Sequence, residues 1–438
     1  MSNAREIVVK MLTKTEKDNS YSNILLSDAL KKYDLSSQDK KFASALFYGV
    51  LERKLTLDEI ISDLSKNSSQ KLNIDLRNTI RCGLYQLLYM DSVPDNAAVD
   101  ESVKLAKKNK NPAVSGFVNA ILREFLRKGK KLPKGRDRID GLCIEYSCPK
   151  WLVRKWMSEY GEVVCLQMLE TSLGKAPDTV RINTVGRSVD DVLRAFSDEG
   201  ISFERSPHIP EAVDLCYSGS VEYTQAYKQG LIHVQDIASQ LCVAAVDPME
   251  GETVLDLCAA PGGKSFTIAE KMNNTGKVYS CDLHDNRVRL INSGAQRLGL
   301  SCICALKNDA KVFSDSLPMA DRVLCDVPCS GLGVIRRKPE IKYKDPNDFQ
   351  RLPQIQYDIL KVSCGYVKMG GILVYSTCTL SRDENDKVVD RFLRENPDFE
   401  SSPLGDAFGD DKNKTRITLT PGKYNSDGFF VAKFRRIR

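Results

Sequence analysis

Through roughly the first 130 residues, apolar side chains recur at three- and four-residue spacing. The clearest runs are NILLSDALKKY, DKKFASALFYGVLERKLTLDEIISDL, LRNTIRCGLYQLLYM and SGFVNAILREFLRK. That is the period of a helix with one buried face, so the pattern predicts an all-helical domain over 1–130. Pro94, in DSVPDNAAVDESVKLAKK, marks a break where Asp95 or Asn96 caps the next helix. Glycine, proline and basic residues then collect, and 131–147 reads as a basic linker.

From Cys148 the rhythm changes. CPKWLVRKWMSEYG, EVVCLQMLETSL and SVDDVLRAFSDEG keep a helical period, whereas DTVRINTV and ISFERS alternate and are rich in strand formers. These predict a small α/β module over 148–230. From 231 to the end, short apolar runs alternate with helical stretches: TVLDL, KVYSC, ICAL, DRVLC, ILVYS and finally GFFVAKF. Alternating β and α predicts a doubly wound, mainly parallel sheet, a Rossmann-like α/β domain. Ligands of such sheets sit at the carboxyl ends of the strands, so the residues just after each strand carry the chemistry.

Composition changes this picture little. With 42% hydrophobic and 28% charged residues, the 438-residue chain reads as ordinary globular protein of two or three domains. No apolar run reaches the roughly 20 residues a membrane helix needs. The first residues, MSNAREIVVKML, lack a signal-peptide core, so a cytoplasmic protein with no membrane partner is expected. The 14 cysteines and three histidines offer no four-ligand zinc pattern, so no metal is expected. Charge matters more. The net +6 is concentrated in residues 1–150, which carry 27 basic against 19 acidic residues. Within 104–138 the count is 12 against 2. Such a run neutralises phosphates, although a solvated helix face followed by a linker carries the same signature.

The first strand of the C-terminal domain runs into LDLCAAPGGKS, residues 255–265. Small residues let a ligand approach the backbone, and the next helix offers free N–H groups. A Walker A loop fails because Cys258 stands where its first glycine belongs, which disfavours a P-loop ATPase. The second strand ends at Asp282, where an acidic residue grips ribose hydroxyls in nucleotide-binding sheets. Asp309 follows the third strand and Asp326 ends the fourth. Three carboxylates in register suit a ligand with ribose hydroxyls, an exocyclic amine and a cationic centre, as S-adenosylmethionine has. A single aspartate at such a place is more often a turn former.

After the fourth strand comes DVPC, with Cys329, and after the fifth comes STCT, with Cys378. Methyl transfer to an exocyclic amine calls for an aromatic residue where Cys329 stands, whereas a cysteine suggests chemistry at carbon. Carbon 5 of cytosine becomes nucleophilic only after a thiolate adds to carbon 6, with an acid such as Asp326 helping the ring accept it. A free thiol is only a few per cent thiolate at neutral pH, so the site must assist it. The base must also be unstacked into the pocket. In the usual methyltransferase sheet strands one, four and five are adjacent, so 326–330 and 377–379 converge. Either cysteine alone reads as core filler.

These residues carry a family resemblance. LDLCAAPGGKS, CDVPCSGLGVIRRKPEIK and VYSTCTLSRDEN resemble motifs I, IV and VI of RNA cytosine-5 methyltransferases. LRNTIRCGLYQLLYMDSVPDNAAVDESVKLAKK and SGFVNAILREFLR resemble the antitermination factor NusB. A NusB-like domain joined to such a catalytic domain is the layout of the Sun/RsmB family, whose members methylate a cytosine of bacterial small-subunit (16S) ribosomal RNA. The likeness spans nearly the whole chain, most weakly over 150–230 and 400–425. It implies an S-adenosylmethionine-dependent methyltransferase domain over 231–438 behind an RNA-binding 1–130. It implies cofactor contacts from Cys258, Ala259, Ala260, Pro261, Gly262, Gly263, Lys264, Asp282, Asp309 and Asp326. It assigns Cys378 as nucleophile, Cys329 to product release and Asp326 to ring activation; residue chemistry alone leaves the two cysteines interchangeable. A monomer acting on ribosomal RNA is expected. The alternatives are a transfer-RNA cytosine-5 methyltransferase and a non-catalytic RNA-binding assembly or transcription factor.

Overall fold

The computed structural model describes residues 4–18, 22–33, 35–66, 69–108, 112–217 and 219–438. Lys110 of the basic run lies outside the described residues. The chain divides into two compact units: 1–174 with 335–344, and 175–334 with 345–438.

The first unit is helical: α1 (Ala4–Asp18), α2 (Ser22–Lys32), α3 (Ser37–Glu52), α4 (Lys54–Ser65), α5 (Ile74–Tyr89), α6 (Asp95–Lys107), α7 (Pro112–Arg127), α8 (Arg138–Tyr146) and α9 (Lys150–Thr171). Side-chain caps start several of them: Ser36 accepts from the Asp39 amide, Asn73 from Asp75 and Asp137 from Asp140. The apolar stripes meet in one core containing Ile7, Leu46, Phe47, Ile60, Ile80, Leu122 and Phe125. A buried ionic cluster crosses it. Arg81 holds Asp58 through two hydrogen bonds of 2.7 and 2.6 Å and also contacts Glu16. Arg77 reaches the other Glu16 oxygen at 2.9 Å.

The stretch read as a linker, 131–147, contains α8. The Thr56 hydroxyl on α4 donates to the Ile144 carbonyl, and the Leu55 amide donates to Ser147. Those contacts tie α8 into the helical unit, which runs on through α9. The segment 335–344 belongs to the same unit. Buried Lys342 donates to the Glu52 carbonyl at 2.8 Å, and the Tyr343 hydroxyl lies 3.1 Å from Ser147 Oγ.

The second unit begins with a four-stranded antiparallel sheet of order β2-β3-β1-β4, built from β1 (Asp178–Ile182), β2 (Ser202–Arg205), β3 (Ala212–Cys216) and β4 (Ile232–Val234). Helices α10 (Val189–Asp198) and α11 (Gln225–Lys228) complete this module, with Ser188 and Asp191 forming a reciprocal cap on α10. The larger sheet has β5 (Thr253–Asp256), β6 (Lys277–Asp282), β7 (Ile303–Lys307), β8 (Ala320–Asp326) and β9 (Val367–Thr377), all parallel. Beyond β9 lie β10 (Phe399–Ser401), β11 (Arg416–Leu419) and β12 (Phe429–Arg436), and β12 runs antiparallel to β9. The order is β10-β12-β9-β8-β5-β6-β7, with β11 on β12.

Successive strand residues feed opposite faces. Val254, Leu324 and Val374 join the core with α12 (Ile237–Val246), α13 (Gly263–Lys271) and α14 (Asp285–Leu298). Leu255, Val323, Cys325 and Leu373 join the core with α15 (Leu352–Cys364) and α16 (Asp386–Glu395). Burial on both faces explains why these strands read as continuous apolar runs. The strand order reverses between β5 and β8, so their carboxyl ends frame the crevice where such sheets bind ligands.

Candidate active site

The loop after β5 is tightly folded. The Ala259 amide donates to the Cys281 carbonyl and the Gly262 amide to Ala259, each at 2.8 Å. Gly262 has φ 115°, and a Cβ there would meet the Phe266 ring at 2.4 Å, so the position requires glycine. Gly263 and Lys264 then open α13. Beneath the loop Asp256 is fully buried. Ser265 donates to one of its oxygens at 2.7 Å, and the other has no hydrogen-bond partner. Burial raises its carboxyl to about 7, against the opposing pull of Ser265.

Asp282 ends β6 with a buried carboxylate that accepts the His284 amide at 3.0 Å. The Asn308 amide donates to the Asp282 carbonyl, while Asn308 Nδ2 is buried without a partner. Asp309, beyond β7, is half-buried and accepts the Lys311 amide. A narrow glycine-bearing loop, a helix N-terminus, a buried acceptor at Asp282 and an orphaned amide at Asn308 together suit a nucleoside-like ligand with hydroxyls to be held.

Lys264 points toward β8. Its ammonium lies 2.6 Å from Asp326 and 5.1 Å from the Phe429 ring centre. Burial opposes its charge, but Asp326 outweighs that and the ammonium is held above its ordinary range. Ser376, on β9, donates to the other Asp326 oxygen at 2.9 Å. Asp326 thus stands fixed between a cation and a hydroxyl at the crevice floor.

The two post-strand cysteines meet. Cys329 Sγ and Cys378 Sγ are 3.2 Å apart, and both side chains are half-buried. The hydrogen bond with Cys378, then burial, then the charges of Cys378 and Glu384 hold the Cys329 thiol well above its usual range. Cys258, on the loop after β5, is also held high, chiefly by burial, and is a poor nucleophile.

Two locks set this meeting. The Gly333 amide donates to the Cys378 carbonyl at 3.0 Å, and the Gly428 amide donates to the Gly333 carbonyl at 2.8 Å. A Cβ on Gly333 would lie 1.9 Å from the Gly428 oxygen. The other lock is Glu384, which is buried. It accepts the Ser330 amide at 2.9 Å, the Ser330 hydroxyl at 2.6 Å and Gln356 Nε2 at 2.9 Å. Asn385 completes the turn, accepting from Thr377 and donating to the Thr379 carbonyl.

The structure brings Lys264, Asp326, Cys329 and Cys378 to the ends of adjacent strands. It places the 258–263 loop, Asp282 and Asp309 after the three strands β5, β6 and β7. Lys264, expected among the cofactor contacts, has Asp326 as its partner. Ser376, Gln356, Glu384, Asn385, Gly333 and Gly428 went unnoticed in the sequence. For Glu384 and Asn385 there was a signal, since DEN directly follows the cysteine motif. The pattern reads as a helix start, but α16 begins only at Asp386 and the two preceding side chains turn inward.

Comparison with known proteins fits this layout. The family model described as 16S rRNA methyltransferase RsmB/F matches residues 243–435. The NusB family model matches 2–127, and an RsmF/B-like ferredoxin-like domain model matches 148–222. A probable ribosomal RNA small subunit methyltransferase B from Bacillus subtilis is 38% identical over 444 residues, covering 99% of both chains. The corresponding protein of Klebsiella pneumoniae is 32% identical, covering 97% of this chain and 95% of that one. Among solved structures, a methyltransferase homologue from Pyrococcus horikoshii superposes with TM-score 0.59 at 29% identity, covering 68% of this chain and 98% of its own. NSun6 from the same organism, solved with SFG, gives 0.58 at 21% identity over 66% of this chain and 98% of its own, a likeness of fold.

Proposed function

The chain belongs to the family of ribosomal RNA small subunit methyltransferase B proteins, and from that premise we propose that it methylates carbon 5 of a cytosine in 16S ribosomal RNA through a covalent Cys378–cytosine adduct. The observation that carries this reading is the 3.2 Å approach of Cys329 and Cys378 beside Asp326. A site methylating an amine has no use for two apposed thiols, whereas covalent activation of a ring carbon needs one sulfur to attack and a second group to manage protons.

In this reading S-adenosylmethionine is the methyl donor and supplies an electrophilic methyl group when bound. Cys258 to Lys264, Asp282, Asp309 and Asp326 would hold it. Cys378 adds to carbon 6 of the flipped cytosine, forming an S–C6 bond and making carbon 5 nucleophilic. Asp326, fixed by Lys264 and Ser376, would accept hydrogen bonds from the N–H groups on the ring's polar edge, and the paired Lys264 ammonium would offset the negative charge that addition develops. After methylation a general base takes the carbon 5 proton, the electron pair of that C–H bond restores the C5–C6 double bond, and the S–C6 bond breaks to release Cys378 as the thiolate. Cys329, at hydrogen-bond distance from the Cys378 sulfur, assists that departure.

The helical 1–130 region and the basic stretch 104–138 provide affinity for the RNA backbone. A cytoplasmic location accompanies that substrate. Among the described residues no helix is long and apolar enough to cross a membrane. Bisulfite sequencing of ribosomal and transfer RNA from cells with and without the chain is the test. One cytosine of 16S RNA should lose its methyl group in the deletion strain and regain it on complementation. A loss confined to transfer RNA would overturn the assignment.

A further inference from the structure

Glu384 is a buried carboxylate six residues past Cys378, and its donors are neutral: the Ser330 amide, the Ser330 hydroxyl, the Gln356 amide and, at 3.5 Å, the Thr379 hydroxyl. The Ser330 hydroxyl also lies 2.7 Å from Thr379 Oγ1. Ser330 and Thr379 are the immediate neighbours of the two cysteines. Gln356 Nε2 reaches the Pro328 carbonyl at 2.9 Å as well, so both sides of Cys329 are tied to this one acid. The Tyr375 hydroxyl fixes the Glu384 backbone carbonyl at 2.6 Å. A buried charge with no more than neutral donors is costly, and its persistence here calls for a role.

We propose that Glu384 is a positioning residue that gives the two sulfurs their separate tasks, clamping Cys329 against Cys378 so that Cys378 is the one that attacks. The geometry ties the cysteine loops at a single carboxylate. Its negative charge also acts on Cys329 in the direction that favours the thiol. Cys378, Glu384 and Tyr375 are titratable groups that act on or adjoin Cys329, and of these three Glu384 is the carboxylate. An anion held against the Cys329 loop disfavours a second negative charge on that sulfur, which is the direction the division of tasks requires.

The inference rests on the two-cysteine reading above. Its test is E384Q, assayed in the full-length protein by single-turnover methylation of 16S RNA and by iodoacetamide labelling of Cys329 across pH, with labelled peptides quantified by mass spectrometry. The methylation rate should fall by about 100-fold, the scale of an ångström misplacement of reacting groups, with RNA affinity retained. The midpoint for Cys329 labelling should move down by about one pH unit as the neighbouring charge is lost. S330A keeps the charge and removes one strut, so its rate should fall while the labelling midpoint stays. If E384Q does not fold, S330A carries the test alone. E384Q with wild-type rate and midpoint, or S330A with wild-type rate, overturns the clamp. A failure of the underlying reading shows differently, as Cys329→Ala turning over like wild type.

Discussion

Replacing Asp256 with asparagine should make the stability of the catalytic unit less sensitive to pH. The carboxyl is fully buried, bonded to Ser265 on one oxygen and unpartnered on the other, and burial raises it to about 7 from an ordinary 3.8. Between those values the folded protein holds a proton that the unfolded chain has released. Stability therefore falls as pH rises through this window, and the cost is constant above about 7. Three pH units at about 1.4 kcal/mol each give roughly 4 kcal/mol in all, more than half of it between pH 5 and pH 8. Asp256→Asn lacks this term, so its stability relative to wild type should rise by that amount over the same interval. Both tryptophans, Trp151 and Trp156, lie on α9 of the helical unit, and their fluorescence does not report this transition. Amide hydrogen exchange on peptides from β5, β8 and β9 does, and comparing variant with wild type at each pH cancels the intrinsic exchange rate. A difference that is flat from pH 5 to pH 8, or that shrinks, refutes the reasoning.

Lys342 gives the opposite slope in the helical unit. Burial lowers its ammonium to about 8 despite the raising effects of Cys148 and Glu52. The unfolded chain thus holds the extra proton between about 8 and 10.5, and stability rises with pH across that range. Lys342→Met should stabilise the unit at pH 7 by up to about 3 kcal/mol, with the gain shrinking above pH 8, as read by urea unfolding of the α9 tryptophans. Gly333→Ala forces a Cβ to within 1.9 Å of the Gly428 carbonyl, so the two cysteine loops should separate. Methylation should fall by about tenfold or more, with cofactor binding by calorimetry unchanged. Reversing Arg123, Arg127 and Lys128 to glutamate should weaken RNA binding. For every phosphate that is no longer neutralised, the slope of log affinity against log salt should become shallower by about 0.7 to 0.9, and an unchanged slope would remove this face from the interface.

The alternation of short apolar runs with helical stretches was enough to locate β5, β8 and β9, because strands buried on both faces have little choice of composition, whereas their adjacency came from the usual methyltransferase sheet order. It also put both cysteines and the carboxylates 282, 309 and 326 at strand ends, since a loop there is short and polar whatever it binds. The antiparallel strands β3, β4, β10 and β11 were less visible, being only three to five residues long. The linker reading of 131–147 missed α8 because its docking on α4 is made by Thr56 and Ser147, about 90 residues apart in sequence. Glu384 was hidden for a related reason. A carboxylate at a helix start is expected to face water and the helix N-terminus. Only the fold shows that its partners, Ser330 and Gln356, lie 54 and 28 residues away and draw it inward. Local pattern reports the period of an element well, but it is silent on polar contacts made across the crevice.

The central claim is that Cys378 attacks the base and Cys329 helps release it. The direct measurement incubates Cys329→Ala with 16S RNA and S-adenosylmethionine, resolves the products under denaturing conditions and maps the peptide joined to RNA. A covalent complex at Cys378 should accumulate in Cys329→Ala and be absent from Cys378→Ala. A complex that forms at Cys329 in Cys378→Ala would contradict the claim.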